Sequence, residues 1–140
     1  MDEAGRPSLD ELPRGYRFPP LIYTLDPDWV TEYLSAVEDA ATPALGAGLV
    51  PGMALATLAV RALLEQVRLP PGAVHLSQEV QLQRAVQAGE RVTAEASIVS
   101  RGERQGWLLL TIEMAARDAR GEPVMTGRAT LGMPVEGATP

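Results

Sequence analysis

The second half of the chain alternates apolar and polar residues with a period of two. The pattern runs through Val74–Leu82, 92–100 and 107–116, and the apolar positions of a last segment are marked by Met125 and Met133. Such alternation is typical of β-strands with one buried face. Short polar or glycine-containing turns separate the segments. The sequence therefore predicts a meander of four long antiparallel strands.

The first half predicts one short strand and one amphipathic helix. Residues 16–25 are rich in aromatic and aliphatic side chains, but Pro19 and Pro20 interrupt them, so an edge strand is the most that they can form. Asp26 is a good N-cap and Pro27 suits the first helical position. Apolar residues then recur at helical spacing, which predicts a helix that ends near Glu38.

A second helix, over residues 51–66, is apolar around its whole circumference. Leucine, valine and methionine occupy all its sides, alanine fills the gaps, and the first charge is Arg61. A helix that is apolar on every side is expected to be buried on every side. It is too short to span a bilayer. In a small protein, a sheet that curls around the helix is the simplest way to enclose it.

These elements predict an α+β fold, a curved antiparallel sheet wrapped around a central apolar helix. We expect a flexible N-terminal arm over residues 1–15, a single domain over 16–134 and a tail over 135–140. The length of 140 residues fits one domain.

Composition narrows the possible chemistry. The net charge of -6 argues against nucleic-acid binding, and no apolar run is long enough to cross a membrane. All basic residues besides His75 are arginines and there is no cysteine, so lysine and thiol chemistry are excluded. With a single histidine, we expect no metal site. The acidic N-terminus does not resemble a signal peptide, so we expect a cytoplasmic protein.

Three segments resemble the hotdog superfamily, and within it the MaoC-like acyl-CoA dehydratases and hydratases. They are AVED at 36–39, LVPGMALA at 49–56 and QRAVQAGERV at 83–92. The resemblance covers about residues 16 to 134, and it implies the hotdog fold.

The resemblance also implies a site before the central helix. In active members an Asp-x-Asn-Pro-x-His loop holds the water that adds to an enoyl thioester, and a glycine N–H at the helix start polarises the thioester carbonyl. Asp39 and Gly52 stand where the motif's aspartate and the oxyanion glycine would be. Residues 40–45, AATPAL, contain neither asparagine nor histidine, and Pro51 replaces a further histidine of the family. The catalytic pair is therefore incomplete.

Each of these residues has a second interpretation. Asp39 is either a catalytic acid or base, or a solvated carboxylate at a helix end. Gly52 either presents its N–H to a thioester oxygen or only starts a buried helix, and the two interpretations are compatible. His75 could replace the lost histidine, but the alternation places it on the polar face, away from the helix, as a solvent-facing or interface residue.

Two further sites are weighed in the same way. Glu65 could act as a thioesterase carboxylate, although the C-terminal end of a helix disfavours negative charge. Arg84, Arg101 and Arg104 could together meet a coenzyme A phosphate, or they could belong to a solvated surface of mixed charge.

The resemblance implies a domain that binds an acyl thioester, with acyl-CoA as substrate or ligand and no resident cofactor. We expect a degenerate or partner subunit of an enoyl-CoA hydratase or dehydratase, a lyase of fatty acid metabolism. The alternatives are an acyl-CoA thioesterase that uses Asp39 as base or nucleophile, and a purely structural partner. Because a hotdog sheet has an open edge, we expect a homodimer or a heterodimer with another hotdog chain.

Overall fold

The first short strand, the two helices and the four long strands follow the predicted order along the chain, and two further short strands were not predicted. The structure, a computed structural model, describes residues 5–36, 49–50 and 52–135. The long strands are β3 (Val74–Leu82), β5 (Arg91–Arg104), β6 (Trp107–Arg117) and β7 (Pro123–Pro134), and the short ones are β1 (Leu21–Thr24), β2 (Leu49–Val50) and β4 (Val86–Gln87). The helices are α1 (Pro27–Ala36) and α2 (Gly52–Leu64), and a 3₁₀ turn spans Leu9–Glu11. Neither α1 nor α2 nor any other described helix is long and apolar enough to cross a membrane.

Helix α1 begins as its sequence predicts. The backbone N–H of Asp28 donates to Asp26 Oδ1 at 2.7 Å, which makes Asp26 the N-cap. Pro27 occupies the first helical position, where a missing N–H costs no hydrogen bond.

The order of the strands differs from the predicted meander. The five-stranded sheet has the order β1-β5-β6-β7-β3, so only β5, β6 and β7 form a meander. Strand β3 pairs antiparallel with β7 at one edge instead of with β5. The reason lies in the connection after β3, where β4 pairs with β2 and diverts the chain from a hairpin. The prediction of a four-strand meander was therefore wrong, although the strands themselves were correct.

The inner face of the sheet packs on α2. Helix α2 contacts β5, β6 and β7. The fully buried residues of the sheet lie at alternate positions, among them Ile98, Leu110 and Ile112, each with no exposed surface. On the helix, Leu55 and Leu63 are buried against them. This arrangement confirms the predicted sheet wrapped around an apolar helix.

One stripe of α2 remains open. Thr57, Arg61 and Leu64 are exposed and Val60 is half-buried, so the prediction that the helix is enclosed on every side was wrong for this stripe. These positions lie one helical turn apart and share a face. The sheet of a single chain ends at β3 on one side and at β1 on the other, and it leaves the stripe uncovered.

The described part of the N-terminal arm is packed and not loose. Leu9 has no exposed surface and Leu12 is 7% exposed. The N–H of Leu9 donates to the carbonyl of Arg68, and the N–H of Arg68 donates to the carbonyl of Pro7. Leu9 and Leu12 therefore belong to the hydrophobic core.

Candidate functional site

The candidate oxyanion donor lies at the first residue of α2. Helix α2 begins at Gly52, and β2 ends two residues earlier at Val50. The first N–H groups of a helix lack partners within the helix and lie at the positive end of its dipole. The start of α2 is thus suited to a developing negative charge on a thioester oxygen.

Strand β2 fixes where α2 begins. It pairs antiparallel with β4, with Leu49 opposite Gln87 and Val50 opposite Val86. Val50 is 6% exposed and Val86 is fully buried. The backbone of β2, two residues before the first residue of α2, is therefore held by strand pairing and by the core.

Asp39 lies outside the described residues. The described part of α1 ends at Ala36, and the description resumes at Leu49. Its placement beside Gly52 stays a prediction.

His75 lies on the helix side of the sheet, which corrects the predicted orientation. It pairs with Leu131, while Ser77 pairs with the adjacent Thr130, so Leu76 is the extra residue of a β-bulge. Leu131 in turn pairs with the fully buried Leu110, and residues directly opposite one another share a face. A bulge shifts the alternation by one position, which the period-two pattern does not reveal.

The open stripe of α2 and the edge strand β3 border a groove of about 510 Å³. Its floor is mainly aliphatic, and polar groups stand around it. It is lined by Arg6, Ala56, Thr57, Val60, Arg61, Leu64, Glu65, His75 and Gln78. His75 thus lies along the side of α2, and the lining begins one helical turn after Gly52.

Glu65 in this groove is already engaged. Its carboxylate accepts a hydrogen bond from Tyr23 Oη at 3.2 Å and an ion pair from Arg61 Nε at 3.1 Å. Burial of the Tyr23 hydroxyl and the nearby negative charge of Glu65 raise the pKa of Tyr23, so this hydroxyl remains a donor. Sequence reasoning missed Tyr23, because it belongs to β1, which is distant from α2 along the chain.

The three arginines proposed for a phosphate site do not form one cluster. Arg84 Nη2 contacts Glu90 Oε1 at 2.8 Å and Asp118 Oδ2 at 3.0 Å. Arg101 Nη1 donates to the carbonyl of Leu12 at 3.1 Å, near the other end of β5. About ten residues of strand, roughly 33 Å, separate the two regions. The contacts of Arg84 and Arg101 lie at opposite ends of β5, which does not favour a shared coenzyme A phosphate site.

The outer face of the sheet carries a second, larger concavity of about 820 Å³. Its charges are largely paired, with Arg128 Nη2 at 2.5 Å from Glu113 Oε1 and Arg117 Nε at 3.2 Å from Glu95 Oε2. A surface of paired charges offers no obvious recognition of an acyl group.

A family model described as "FAS1-like, dehydratase domain region" matches residues 15–127. The chain belongs to this family. The match includes α1, α2 and β1 to β6, and it ends within β7. No curated protein sequence matches the chain.

Solved structures agree with this FAS1-like dehydratase assignment at the level of fold. The chain is similar to the (R)-hydratase from A. caviae involved in PHA biosynthesis, with TM-score 0.74, 24% identity and coverage of 89% of this chain and 98% of that one. The HadBC (3R-hydroxyacyl-ACP dehydratase) complex from Mycobacterium tuberculosis gives TM-score 0.74, 24% identity and coverage of 89% and 100%. A MaoC-like dehydratase from Rhodospirillum rubrum gives TM-score 0.73, 15% identity and coverage of 92% and 97%. The hotdog fold and the MaoC-like resemblance predicted from the sequence are confirmed.

Proposed function

We propose that this FAS1-like dehydratase-region chain binds an acyl thioester as a catalytically incomplete, MaoC-like subunit that acts with a second hotdog chain. The observation that carries the proposal is the open face of α2. On this face Leu64 is exposed and Val60 half-buried beside β3 at the edge of the described sheet, whereas residues such as Leu55 and Leu63 on the other sides of the helix are buried. An edge strand with free backbone groups favours pairing with another chain.

The exposed apolar residues support a partner at this edge. Leu64 on α2 is 38% exposed, and Val74, Leu76 and Leu82 on β3 are 42%, 55% and 55% exposed. A second hotdog chain would extend the sheet beyond β3 and cover both groups. The HadBC relative, which is named as a complex, is consistent with such pairing.

Thioester binding is supported by the start of α2. The Gly52 N–H lies at a helix N-terminus and is preceded by the β2 strand that β4 holds. It would donate to the thioester oxygen as charge develops there. Asp39 would act as the acid or base of an enoyl-CoA hydratase or dehydratase, a lyase step of fatty acid metabolism, with the missing partner group supplied by the second chain.

Association is tested by ultracentrifugation of the chain, alone and mixed with a hotdog chain that carries Asp-x-Asn-Pro-x-His. Leu64→Asp is expected to weaken association at least about tenfold, because it places a charge where an aliphatic side chain would be buried. Ile22→Asp is the matched control, since Ile22 is 66% exposed on β1 at the opposite edge. A wild-type chain that stays monomeric and ignores the motif-bearing chain would overturn the proposal, as would equal effects of both variants.

The proposed acyl-CoA binding and hydration are tested with crotonyl-CoA. The proposal predicts acyl-CoA binding by the isolated chain, and hydration only when a competent partner is present, with Asp39→Asn lowering the rate. Release of free thiol would instead indicate a thioesterase. Tight association without acyl-CoA binding would indicate a structural partner.

A further inference from the structure

The turn between β4 and β5 joins both segments that flank the candidate catalytic loop. The N–H of Gly89 donates to the carbonyl of Leu25 at 2.6 Å, and the N–H of Leu25 donates to the carbonyl of Glu90 at 2.8 Å. Leu25 directly precedes the N-cap of α1. The β4 residues just before the turn pair with β2, which leads into α2. One short segment therefore holds the starts of both α1 and α2.

Ion pairs of Arg84 connect this turn to the turn between β6 and β7. Its guanidinium bridges Glu90 and Asp118, and its Nη1 also donates to the carbonyl of Ala85 at 2.8 Å. Glu90 Oε2 accepts the N–H of Gln87 at 2.7 Å, so the same carboxylate orients β4. Asp118 belongs to the turn between β6 and β7 and is 9% exposed.

Asp118 is itself fixed by backbone donors. Its Oδ1 accepts the N–H groups of Arg120 at 2.9 Å and Glu122 at 3.0 Å. Hydrogen bonds from Arg84 lower the pKa of both Glu90 and Asp118, so both carboxylates are charged at neutral pH. Arg84 thus connects β4, through Glu90, to a carboxylate that backbone donors hold in the turn between β6 and β7.

We propose that Arg84 is a positioning residue that, through Glu90 and β4, sets the place of β2 and hence of the Gly52 amide at the start of α2. Both terminal nitrogens of Arg84 form hydrogen bonds within the protein, so its guanidinium has a structural role. Misplacing an oxyanion donor by about 1 Å can lower a rate about 10²-fold. The catalytic consequence rests on the proposed function, whereas the positioning itself does not.

The test compares Arg84→Gln with Arg117→Gln. Arg117 is a matched control, because its side chain is 39% exposed against 40% for Arg84, and it also pairs with a glutamate and donates to a backbone carbonyl. Hydrogen exchange is measured at the amides of β2 and β4 and at those of β5 and β6. Arg84→Gln is expected to speed exchange in β2 and β4 by about tenfold or more and to leave β5 and β6 unchanged.

Three results would overturn the positioning role. They are unchanged exchange in β2 and β4, an equal increase throughout the sheet, and the same local increase in Arg117→Gln. Arg84→Lys, which keeps the charge but loses the planar fork, is expected to restore protection only in part.

A kinetic measurement on the chain assembled with its partner tests the catalytic consequence. Arg84→Gln is expected to lower kcat at least about tenfold with little change in KM, since it disturbs an interaction made in the transition state. A wild-type assembly without turnover would contradict the proposed function and leave the exchange result to decide the role of Arg84. Loss of protection in β2 and β4 with unchanged kcat would refute the catalytic consequence alone.

Discussion

The pairing of β7 with the edge strand β3 should be weakened by the single methyl group that Gly127→Ala adds. A Cβ built at Gly127 would lie 2.9 Å from the backbone oxygen of Glu79 and 3.7 Å from Met125 Sδ. An ordinary contact needs at least 3.4 Å, so the backbone of β3 would have to move by about 0.5 Å. The φ angle of Gly127 is not in the left-handed region, so the collision and not the backbone conformation is the cost.

The magnitude follows from two opposing effects. Overpacking against a backbone atom costs about 1 to 3 kcal/mol. Replacing glycine by alanine in a strand contributes about 0.5 to 1 kcal/mol by restricting the unfolded chain. Gly127→Ala should therefore destabilise the fold by about 1 kcal/mol, and by no more than about 2.5 kcal/mol, which lowers Tm by about 3 to 8 °C for a chain of this size.

Gly102→Ala is the matched control. Gly102 also lies in a strand, and a Cβ there meets nothing within 4 Å. This variant should be as stable as the wild type or more stable by about 0.5 kcal/mol. Urea unfolding measures both variants, and Gly127→Ala should also weaken association with a partner, because the displaced strand is the proposed pairing edge. Equal stabilities for the two variants would refute the reasoning.

Two further predictions concern the N-cap of α1 and the two carboxylates that pair with Arg84. Asp26→Ala removes the N-cap of α1 and should cost about 0.5 to 2 kcal/mol in urea unfolding, whereas an unchanged midpoint would deny Asp26 a capping role. The folded pKa values of Glu90 and Asp118 lie below their ordinary values of 4.5 and 3.8, so their stabilising contribution is present above about pH 4.5 and is lost as the pH falls through the folded pKa values. The Tm difference between wild type and Arg84→Gln should consequently be full at pH 7 and shrink in acid, and a difference that grows in acid would contradict this assignment.

Local patterns in the sequence were enough to predict the long strands, the two helices and a sheet wrapped around the second helix, but not the short strands β2 and β4. Period-two alternation identified the long strands, and Asp26 with Pro27 identified the start of α1. Each of these signals depends on neighbours within a few residues, so the sequence carries it directly. The uniform apolarity of α2 was likewise enough to predict a helix surrounded by a sheet.

Tertiary structure decided how these elements combine. The pairing of β3 with β7 is set by contacts between residues distant along the chain, and no local pattern distinguishes β7 from β5 as its neighbour. The bulge at Leu76 adds one residue to the ladder and so turns His75 toward α2, which reverses the face that the alternation predicts. Leu9 enters the core for a similar reason, since its partner Arg68 follows α2.

In the candidate site too, some features could be predicted from the sequence and others depend on the tertiary structure. Asp39 and Gly52 could be proposed from the sequence because they lie in short segments that resemble a family. The bridge from Arg84 to Asp118 and the groove beside α2 could not, because they join turns and edges that only the folded sheet brings together. The sequence by itself thus determined the long strands, the two helices and the start of α2. Tertiary contacts determined what holds that start in place, because hydrogen bonds between residues distant along the chain produce no periodic pattern in the sequence.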